Sequence, residues 1–337
     1  MLSQTASDPP VSGAALAVEA EEIRQGRAFG LDVDTSFPIS GLPPRQSEPT
    51  GRRVSLELIT PRELDRAWGP AAGKTSLLDR RDPHGNLVMS IEGDTELGFR
   101  IYAPRYGRHL VSRDGRQVRS VLPKVAPWRW QRLLFAQVLP LATSLQGLGV
   151  FHASAVSLDE TAVAFIAASG TGKTSVAVHL VDRGATLLTD DVLALEGGNS
   201  NVLAHHGAGF ASVARSELEA VSHVAKRQLG AVAAQTDKVL VTPRVSQASV
   251  PLRAVYFLRR TGEHGEIVIA RSDPPDPSLL LSSNFISYVS AASHLQNHLD
   301  LCSRIAATAG INRVEIPIGA SAASVAEAVL EHSCRTA

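Results

Sequence analysis

Residues 163–182 of the chain, VAFIAASGTGKTSVAVHLVD, constrain its fold more than any other stretch. The apolar run at the beginning predicts a short buried strand, and the glycines after it predict a turn. Residues 173–182 have the spacing of a helix, which we expect to end before Gly184. A strand, a glycine turn and a helix in this order are typical of layered α/β proteins that bind phosphate groups.

The turn matches the phosphate-binding pattern G-x-x-x-x-G-K-[ST] at every position but the first, where Ala167 stands. Glycines let backbone amides converge on an anion, and the N-terminal end of a helix adds a positive dipole. We expect Lys173 to reach the β- and γ-phosphates of a nucleotide and the Thr174 hydroxyl to bind Mg²⁺. An ordinary tight turn before a helix is the alternative. The residues expected to bind the nucleotide are Ser169, Gly170, Thr171, Gly172, Lys173, Thr174 and Ser175.

Two adjacent aspartates follow at the end of the next predicted strand. Asp190 lies 17 residues after Lys173 and is followed directly by Asp191. Because neighbouring side chains on an extended chain point in different directions, one carboxylate can hold Mg²⁺ while the other orients or deprotonates an attacking hydroxyl. We expect both aspartates to act in catalysis and, with Thr174, in metal binding, and the sequence leaves their individual roles open. A solvated acidic turn is the alternative.

Two basic side chains near these motifs are further candidates. His152 lies 21 residues before Lys173 on the preceding predicted strand, so a catalytic or phosphate-facing role and a structural role are both open. Lys238, in the extended stretch TDKVLVTPR, could supply a second cation near the phosphates, but a surface lysine is the simpler interpretation. His205 and His206 are adjacent on a predicted strand and therefore face opposite sides, which disfavours a shared metal ion.

The composition and the hydrophobic pattern of the sequence change twice along the chain. Residues 1–50 combine an Ala/Glu-rich stretch with one rich in Pro, Ser and Gly, and we expect a flexible leader there. Residues 51–148 alternate like strands, contain Asp-Pro-His-Gly and Arg-Asp-Gly turns and end in an amphipathic helix, which predicts a small β-rich domain with a connecting helix. Residues 149–337 alternate strands and helices and form the predicted α/β domain.

Charge and cysteine content exclude several classes of protein. The chain of 337 residues has 33 Lys plus Arg and 33 Asp plus Glu, so no overall field draws it to nucleic acid or to an anionic membrane. No run approaches the roughly 18 apolar residues of a membrane helix, and the N-terminal stretch does not resemble a signal peptide. The two cysteines, Cys302 and Cys334, lack metal-ligand spacing, and we expect both to be free in a cytoplasmic protein.

Four stretches together resemble the HPr kinase/phosphorylase-related family, a branch of the phosphoenolpyruvate carboxykinase-like phosphate-loop proteins. They are FHASAV, AASGTGKTSVAVHLVDRGATLLTDDVLAL, VPLRAVYFLRR and LLLSSNF. That family has a histidine strand, a G-x-S-G-x-G-K-[ST] loop, a helix ending in Arg-Gly and a strand ending in Asp-Asp, in this order. The corresponding residues here are His152, residues 167–174, Arg183 with Gly184, and Asp190 with Asp191.

The resemblance implies an α/β phosphate-loop catalytic domain of the HPr kinase and phosphoenolpyruvate carboxykinase type, preceded here by the small sheet-rich domain. It implies ATP and Mg²⁺ as cofactors, with Lys173 and the loop amides on the phosphates and Thr174 with an acidic residue on Mg²⁺. It also implies that one aspartate of the pair is the base for a serine hydroxyl, that His152 lies near the transferring phosphate, and that the protein is a homo-oligomer.

The chain also departs from that family. The glycine-rich C-terminal signature of HPr kinases is not visible in INRVEIPIGASAASVAEAVLEHS, so we do not expect HPr as the substrate. Relatives of this shorter architecture include kinases encoded with ribosomally made peptides such as lasso-peptide precursors. We therefore expect an ATP-dependent kinase of a serine or threonine hydroxyl in a peptide or protein, with the N-terminal sheet as a docking candidate. A small-metabolite kinase and a nucleotide-binding regulator without transfer activity are the alternatives.

Overall fold

The computed structural model describes residues 24–45, 49–70, 73–198, 200–221, 228–232 and 237–335. Over these residues the chain is a mixed α/β protein with sheets of eight, nine and three strands, which confirms the predicted α/β class. Residues 1–23 of the expected leader lie outside the described residues. The division of the chain at residues 148 and 149 stays a prediction.

The first half of the chain forms the eight-stranded sheet, in the order β1-β2-β3-β8-β7-β6-β5-β4. Strand β3 is parallel to both of its neighbours, and the other pairs are antiparallel. The elements are β1 (Gln25–Ala28), β2 (Leu31–Thr35), β3 (Arg53–Leu58), α1 (Pro61–Trp68), β4 (Thr75–Arg81), β5 (Leu87–Asp94), β6 (Gly98–Ala103), β7 (Gly107–Val111) and β8 (Gln117–Val121).

The described part of the expected leader belongs to this sheet, so the expectation of a flexible segment is wrong for residues 25–35. Strands β1 and β2 form a hairpin around Phe29 and Gly30, both with positive φ. The physical reason is that this segment buries nearly all of its few apolar side chains, and the polar hairpin partners Arg27 and Asp32 form a buried ion pair. A low density of apolar residues therefore did not prevent folding here.

The turns between the strands form around aspartates, as the sequence predicts. Asp82 Oδ1 accepts hydrogen bonds from the amides of His84 and Asn86, each at 2.9 Å. Asp114 Oδ1 accepts from the Ser112 hydroxyl at 2.6 Å and from the Arg116 amide at 3.0 Å. Aspartate side chains that accept from the backbone ahead of them stabilise tight turns, which accounts for the short connections in this sheet.

The connecting helix is interrupted, although the sequence predicts one continuous amphipathic segment. Helix α2 (Pro127–Leu133) continues into a π-helical turn over Leu134–Val138 and then into α3 (Leu139–Leu145). Pro140 has no N–H to donate to the preceding turn, which favours an irregular hydrogen-bond pattern just before it. The expected buried face is confirmed, since Trp130, Leu133, Leu134 and Val138 are all buried.

The second half of the chain forms the other two sheets. The nine-stranded sheet has the order β12-β10-β11-β18-β14-β13-β9, with β20 paired to β18 and β19; the small sheet has the order β15-β17-β16. The elements up to the small sheet are β9 (Gly149–Phe151), β10 (Ala153–Leu158), β11 (Thr161–Ile166), α4 (Lys173–Asp182), β12 (Thr186–Thr189), β13 (Leu193–Gly197), β14 (Val202–His205), β15 (Ala211–Ala214), α5 (Arg215–Glu219), β16 (Gln228–Ala231) and β17 (Lys238–Val241). The remaining elements are β18 (Val250–Arg260), β19 (Val268–Arg271), α6 (Ser278–Leu281), α7 (Ala292–Thr308), β20 (Gly310–Ile316) and α8 (Ala322–Arg335).

Strands β11, β18 and β20 run parallel, so their carboxyl ends meet at one edge of the sheet. Helix α4 follows β11 and packs against the sheet, with Val176, Leu180 and Val181 among its buried residues. One core cluster joins the eight-stranded sheet to α2 and α3 and also takes in Val192, Ile286 and Val289 from the second half. The two halves therefore share an apolar core.

Cys302 and Cys334 are free thiols, as predicted, and Cys302 is buried. In the part of the chain that the structure describes, no helix has both the length and the apolar character needed to cross a bilayer.

Candidate phosphate-binding and acid site

The glycine turn connects the carboxyl end of β11 to the first residue of α4. Gly170 has φ of 82° and Gly172 has φ of 114°, a region that L-residues with side chains rarely adopt. A Cβ atom at either position would meet no heavy atom within 4 Å. The two glycines are therefore required by the backbone conformation rather than by lack of space, and they leave the concave side of the turn open.

Ala167 replaces the first glycine of the pattern without strain. Among the described residues, positive φ at non-glycine positions is confined to Phe29, Asp159, Glu160 and Asp191, so Ala167 has an ordinary backbone conformation. Its carbonyl oxygen accepts a hydrogen bond from Lys173 Nζ at 2.9 Å. Because position 167 needs neither a left-handed backbone nor a missing Cβ, alanine is compatible with the loop.

The beginning of α4 is open to an anion. Gly172 is the N-cap residue and has no side chain to accept from the first amides of the helix, and no acidic residue lies in the first turn. Unsatisfied amides and the helix dipole together favour negative charge at such an end. Among the other predicted loop residues, Ser169 is exposed and Thr171 and Ser175 are partly buried around this end.

Lys173 and His152 are in direct contact. Lys173 is only 6% exposed, and its Nζ donates to His152 Nε2 at 3.2 Å. His152 Nδ1 lies 3.0 Å from the carbonyl oxygen of Asp191. Since a carbonyl can only accept, the imidazole proton belongs on Nδ1, and Nε2 is left to accept from the lysine.

Both side chains are shifted toward their neutral forms. Burial lowers the pKa of His152, and the nearby Lys173 ammonium lowers it further. Burial also lowers the pKa of Lys173, against the opposing effect of the two aspartates. The lysine is thus a desolvated cation whose hydrogen-bond partners are neutral groups, an arrangement that an incoming anion would stabilise.

Asp190 is surrounded by donors from three different elements. Its Oδ1 accepts from the Thr174 hydroxyl at 2.7 Å and from the Ser154 hydroxyl at 2.9 Å, and its Oδ2 accepts from the Ser212 amide at 2.9 Å. Burial raises the pKa of Asp190 to about 6, and the charge of Asp191 adds to this rise while the three donors oppose it. The carboxyl group is fixed in place but retains its proton more readily than an ordinary aspartate.

Asp191 has the opposite character. It is exposed and has φ of 65°, and the Val192 amide donates to the Asp190 carbonyl across it at 2.8 Å, which makes a strained three-residue turn. Its carboxylate accepts no hydrogen bond from the residues that the structure describes. Strained backbone of this kind is concentrated at functional sites, where the surrounding structure holds it in place.

The segment of residues 283–285, at the end of the LLLSSNF stretch, completes the surroundings of His152. The His152 amide donates to the Ser283 carbonyl at 2.9 Å, and the Phe285 ring stacks against the imidazole with centroids 5.9 Å apart. Sequence reasoning assigned no chemistry to this stretch and did not single out Ser154 or Ser212. The only available signal was the resemblance of LLLSSNF to the family, which gives no residue a role.

A cleft of about 670 Å³ lies beside the loop, at the carboxyl ends of the parallel strands. Its walls include His152 and Ala167, and Arg259 and Glu315 form an ion pair at 2.5 Å among its lining residues. Ligands of open α/β sheets bind in crevices at this end of the strands. Arg259, near the end of β18, is exposed and borders this cleft.

The remaining candidates lie in different surroundings. Lys238 is exposed, but its charge contributes to lowering the pKa of Lys173, and its β-sheet partner Ala214 lies two residues from Ser212.

His205 contacts Ser249 at 2.8 Å and Glu196 at 3.0 Å. Both ring nitrogens of His206 are buried without a partner among the described residues. The two histidines therefore do not share a ligand position.

The oxygen atoms of Thr174 and Asp190 fit a magnesium ion. Within the described ranges, no group of three or more histidine, cysteine or acidic side chains could enclose a metal by itself. Mg²⁺, however, is usually bound through one or two protein oxygens together with water and substrate phosphates. The hydroxyl and carboxyl groups, already 2.7 Å apart next to the open helix end, match that donor set.

No family model matches the sequence, and no curated protein matches it. Among solved structures, the HPr(Ser) kinase/phosphatase from Coxiella burnetii is similar over 56% of this chain and 97% of that chain, with 12% identity and a TM-score of 0.32.

Proposed function

We propose that the protein is an ATP-dependent kinase that transfers the γ-phosphate to a serine or threonine hydroxyl of a peptide or protein. The observation that carries the proposal is the cluster at the beginning of α4, where a buried lysine, a threonine hydroxyl and two unlike aspartates surround an open helix end. The sequence resemblance to HPr kinase/phosphorylase-related proteins supports the same assignment.

In this proposal, Lys173 and the amides of residues 169–175 bind the nucleotide phosphates. Lys173 already lies between His152 and the Ala167 carbonyl, so those contacts hold the ammonium beside the loop before the nucleotide binds. An ammonium and oriented amides stabilise the charge that develops on a transferring phosphoryl group. His152 is therefore a positioning residue for Lys173 and lies near the phosphate that is transferred.

The two aspartates take different roles in this proposal. Asp190, hydrogen-bonded to Thr174, is the group that binds Mg²⁺ together with that hydroxyl. Asp191, exposed and without a hydrogen-bond donor among the described residues, is the base that accepts the proton of the acceptor hydroxyl. When bound, Mg²⁺ would neutralise charge on the nucleotide phosphates. The proposal thus assigns the roles that the sequence leaves open.

Phosphate transfer from labelled Mg-ATP tests the proposal. Wild type and the variants Asp190→Asn and Asp191→Asn are offered serine-containing peptides from the gene neighbourhood and, separately, free serine. Asp159→Asn is a matched control, because Asp159 is also an exposed aspartate with positive φ, in the turn at the far end of β11. We expect label on a peptide with wild type and the control, and loss by orders of magnitude with both site variants.

The other outcomes distinguish the alternatives. Aspartate-dependent label on free serine alone would replace the peptide by a small metabolite. Tight ATP binding with no labelled acceptor would favour a nucleotide-binding regulator. Normal transfer by both aspartate variants would overturn the assignment of the pair.

A further inference from the structure

The turn that presents Asp191 has three consecutive carbonyl oxygens, and each of them accepts a hydrogen bond. The Val192 amide donates to the Asp190 carbonyl at 2.8 Å, and His152 Nδ1 donates to the Asp191 carbonyl at 3.0 Å. The Thr189 hydroxyl donates to the Val192 carbonyl at 2.5 Å. Two of the three donors are therefore side chains from outside the turn.

Sequence reasoning gave Thr189 no role, although it lies directly before the aspartate pair. It is the last residue of β12, and its side chain is fully buried. Since a carbonyl oxygen can only accept, the Thr189 hydroxyl is the donor to Val192. This bond ties the end of the strand to the residue that follows the pair, and it closes the segment that carries both aspartates.

The packing around the Thr189 hydroxyl holds it in place. A Cβ atom at Gly207 would overlap this hydroxyl and would lie 2.8 Å from the Phe29 ring. The Gly207 amide donates to the Leu188 carbonyl at 2.9 Å. The hydroxyl therefore lies against the Gly207 backbone, next to the β1–β2 hairpin of the N-terminal sheet.

The backbone of Asp191 depends on contacts of this kind. Its φ of 65° is unfavourable for a residue with a side chain, and such a conformation persists only where the surrounding structure holds it. Without the bond from Thr189, Asp191 would relax toward negative φ, which would redirect its carboxylate. The Asp190 carboxylate would stay in place, because it accepts three hydrogen bonds from outside the turn.

We propose that Thr189 is a positioning residue for phosphate transfer, because its hydroxyl holds the turn that directs the Asp191 carboxylate at the acceptor hydroxyl. The inference rests on the proposed kinase function, in which Asp191 is the base. A displacement of about 1 Å at a reacting group can lower the rate by about a hundredfold. Binding of Mg-ATP should be nearly independent of the hydroxyl, since Lys173 and Asp190 have hydrogen-bond partners outside the turn.

The test measures kcat for transfer from labelled Mg-ATP and, by calorimetry, the Kd for Mg-ATP in Thr189→Val and Thr189→Ser. The acceptor is a serine-containing peptide from the gene neighbourhood or free serine, whichever wild type labels. Valine keeps the branched shape and removes the hydroxyl, so kcat should fall by about 10- to 100-fold while Kd stays within about twofold of wild type. Serine keeps the hydroxyl and should retain about a third or more of the wild-type kcat.

Thr161→Val is the matched control, assayed like the others well below its melting temperature. The Thr161 hydroxyl donates to the Leu158 carbonyl at 2.9 Å, also across acidic residues with positive φ, Asp159 and Glu160. This turn lies at the far end of β11, away from the phosphate loop. Both valine variants remove one hydroxyl from a carbonyl, but the control should keep kcat within about twofold of wild type.

Hydrogen exchange at the Val192 amide tests the turn without nucleotide or acceptor. Because this amide donates across Asp191 to the Asp190 carbonyl, loosening of the turn exposes it to solvent. We expect exchange to be about tenfold faster or more in Thr189→Val. In Thr189→Ser and Thr161→Val the rate should stay close to that of wild type.

The outcomes separate this inference from the kinase proposal. No label on any acceptor from wild type would overturn the kinase proposal and, with it, a role of Thr189 in transfer. Transfer by wild type together with an unchanged kcat in Thr189→Val, or with an equal fall in Thr189→Ser or Thr161→Val, would overturn the positioning role alone. Unchanged exchange at Val192 in Thr189→Val would overturn the claim that this hydroxyl holds the turn.

Discussion

Charged side chains are buried in two regions of this molecule, and the two regions treat them in opposite ways. In the β1–β2 hairpin, Arg27 Nε and Nη2 donate to Asp32 Oδ1 at 2.9 and 2.8 Å, and the Thr50 amide donates to Asp32 Oδ2 at 2.8 Å. At the phosphate loop, Lys173 is buried to a similar degree but donates to an imidazole and a carbonyl. The first region pairs opposite charges, and the second keeps them apart.

The difference separates a structural ion pair from a site prepared for a ligand. A buried charge is costly unless a partner of opposite charge and further hydrogen bonds compensate it. Asp32 has both, whereas burial lowers the pKa of Lys173 and raises that of Asp190. Among the described residues, Lys173 thus has no anionic and Asp190 no cationic hydrogen-bonded partner. Nucleotide phosphates and a divalent cation would supply these opposite charges.

The largest expected effect is on activity. Lys173→Met removes the ammonium at the phosphates, and we expect phosphate transfer to fall by roughly a thousandfold or more. Nucleotide binding should weaken in parallel. Lys124→Met, at an exposed lysine before α2, is the matched control and should keep both. Transfer by Lys173→Met at the wild-type rate would remove the distinction between the two regions.

For the free energy of unfolding, we expect a large loss in Arg27→Met and no loss in Lys173→Met. Arg27→Met leaves the Asp32 carboxylate buried without its partner, and we expect a loss of about 3–5 kcal/mol in the free energy of unfolding. Lys173→Met removes an uncompensated cation, so the free energy of unfolding should stay the same or increase. Urea denaturation of both variants measures the contrast. Equal losses would show that Lys173 is as important to the fold as Arg27.

A pH-dependent effect is expected at Asp190. Because its pKa is raised to about 6 in the folded protein, its contribution to stability is present below the ordinary value of 3.8 and is lost as the pH rises through 6. Asp190→Asn does not ionise, and its amide can still donate to the two hydroxyls while its carbonyl accepts from Ser212.

The variant should therefore melt at a higher temperature than wild type at pH 8, without Mg²⁺ or nucleotide, and the difference should shrink toward pH 4. Thermal unfolding across this range is the measurement. A difference in melting temperature that is independent of pH would contradict the raised pKa.

The smallest expected effect is on the pH–rate profile and comes from removal of the Ser154 hydroxyl. Ser154→Ala removes a donor that lowers the pKa of Asp190, so that pKa should rise further. If Asp190 must be ionised to bind Mg²⁺, the acidic limb of the pH–rate profile should move upward by about half a pH unit. Ser157→Ala, on the same strand, should leave the profile unchanged. A shift toward lower pH would contradict the hydrogen bond's assigned effect.

Local patterns predicted the phosphate-loop half well. The bounds of α4 follow from its helical spacing and the glycines on either side, and the aspartates follow directly after β12, as the strand pattern indicates. Ser154, Ser212 and Phe285 were not predicted as neighbours of the site. They reach it from separate strands and a loop, and pairings across long sequence distances leave no periodic signal in a single sequence.

The β1–β2 hairpin, at residues 25–35, is a second place where long-range pairings could not be predicted from a single sequence. Its composition is poor in apolar residues, and sequence reasoning therefore expected a flexible leader. The ion pair between Arg27 and Asp32 and the parallel pairing of β2 with β3 involve partners that composition does not reveal. A few well-placed apolar residues and one compensated ion pair were sufficient to join this segment to the sheet.

The most direct test of the contrast is calorimetric titration of Mg-ATP into wild type, Lys173→Met and Lys124→Met. We expect saturable binding at one site in wild type and Lys124→Met, and no heat of binding in Lys173→Met. Mg-ATP should raise the melting temperature of the two binding proteins only. Equal binding by all three proteins, or no binding by wild type, would contradict the claim that the separated charges at the phosphate loop are held for a nucleotide.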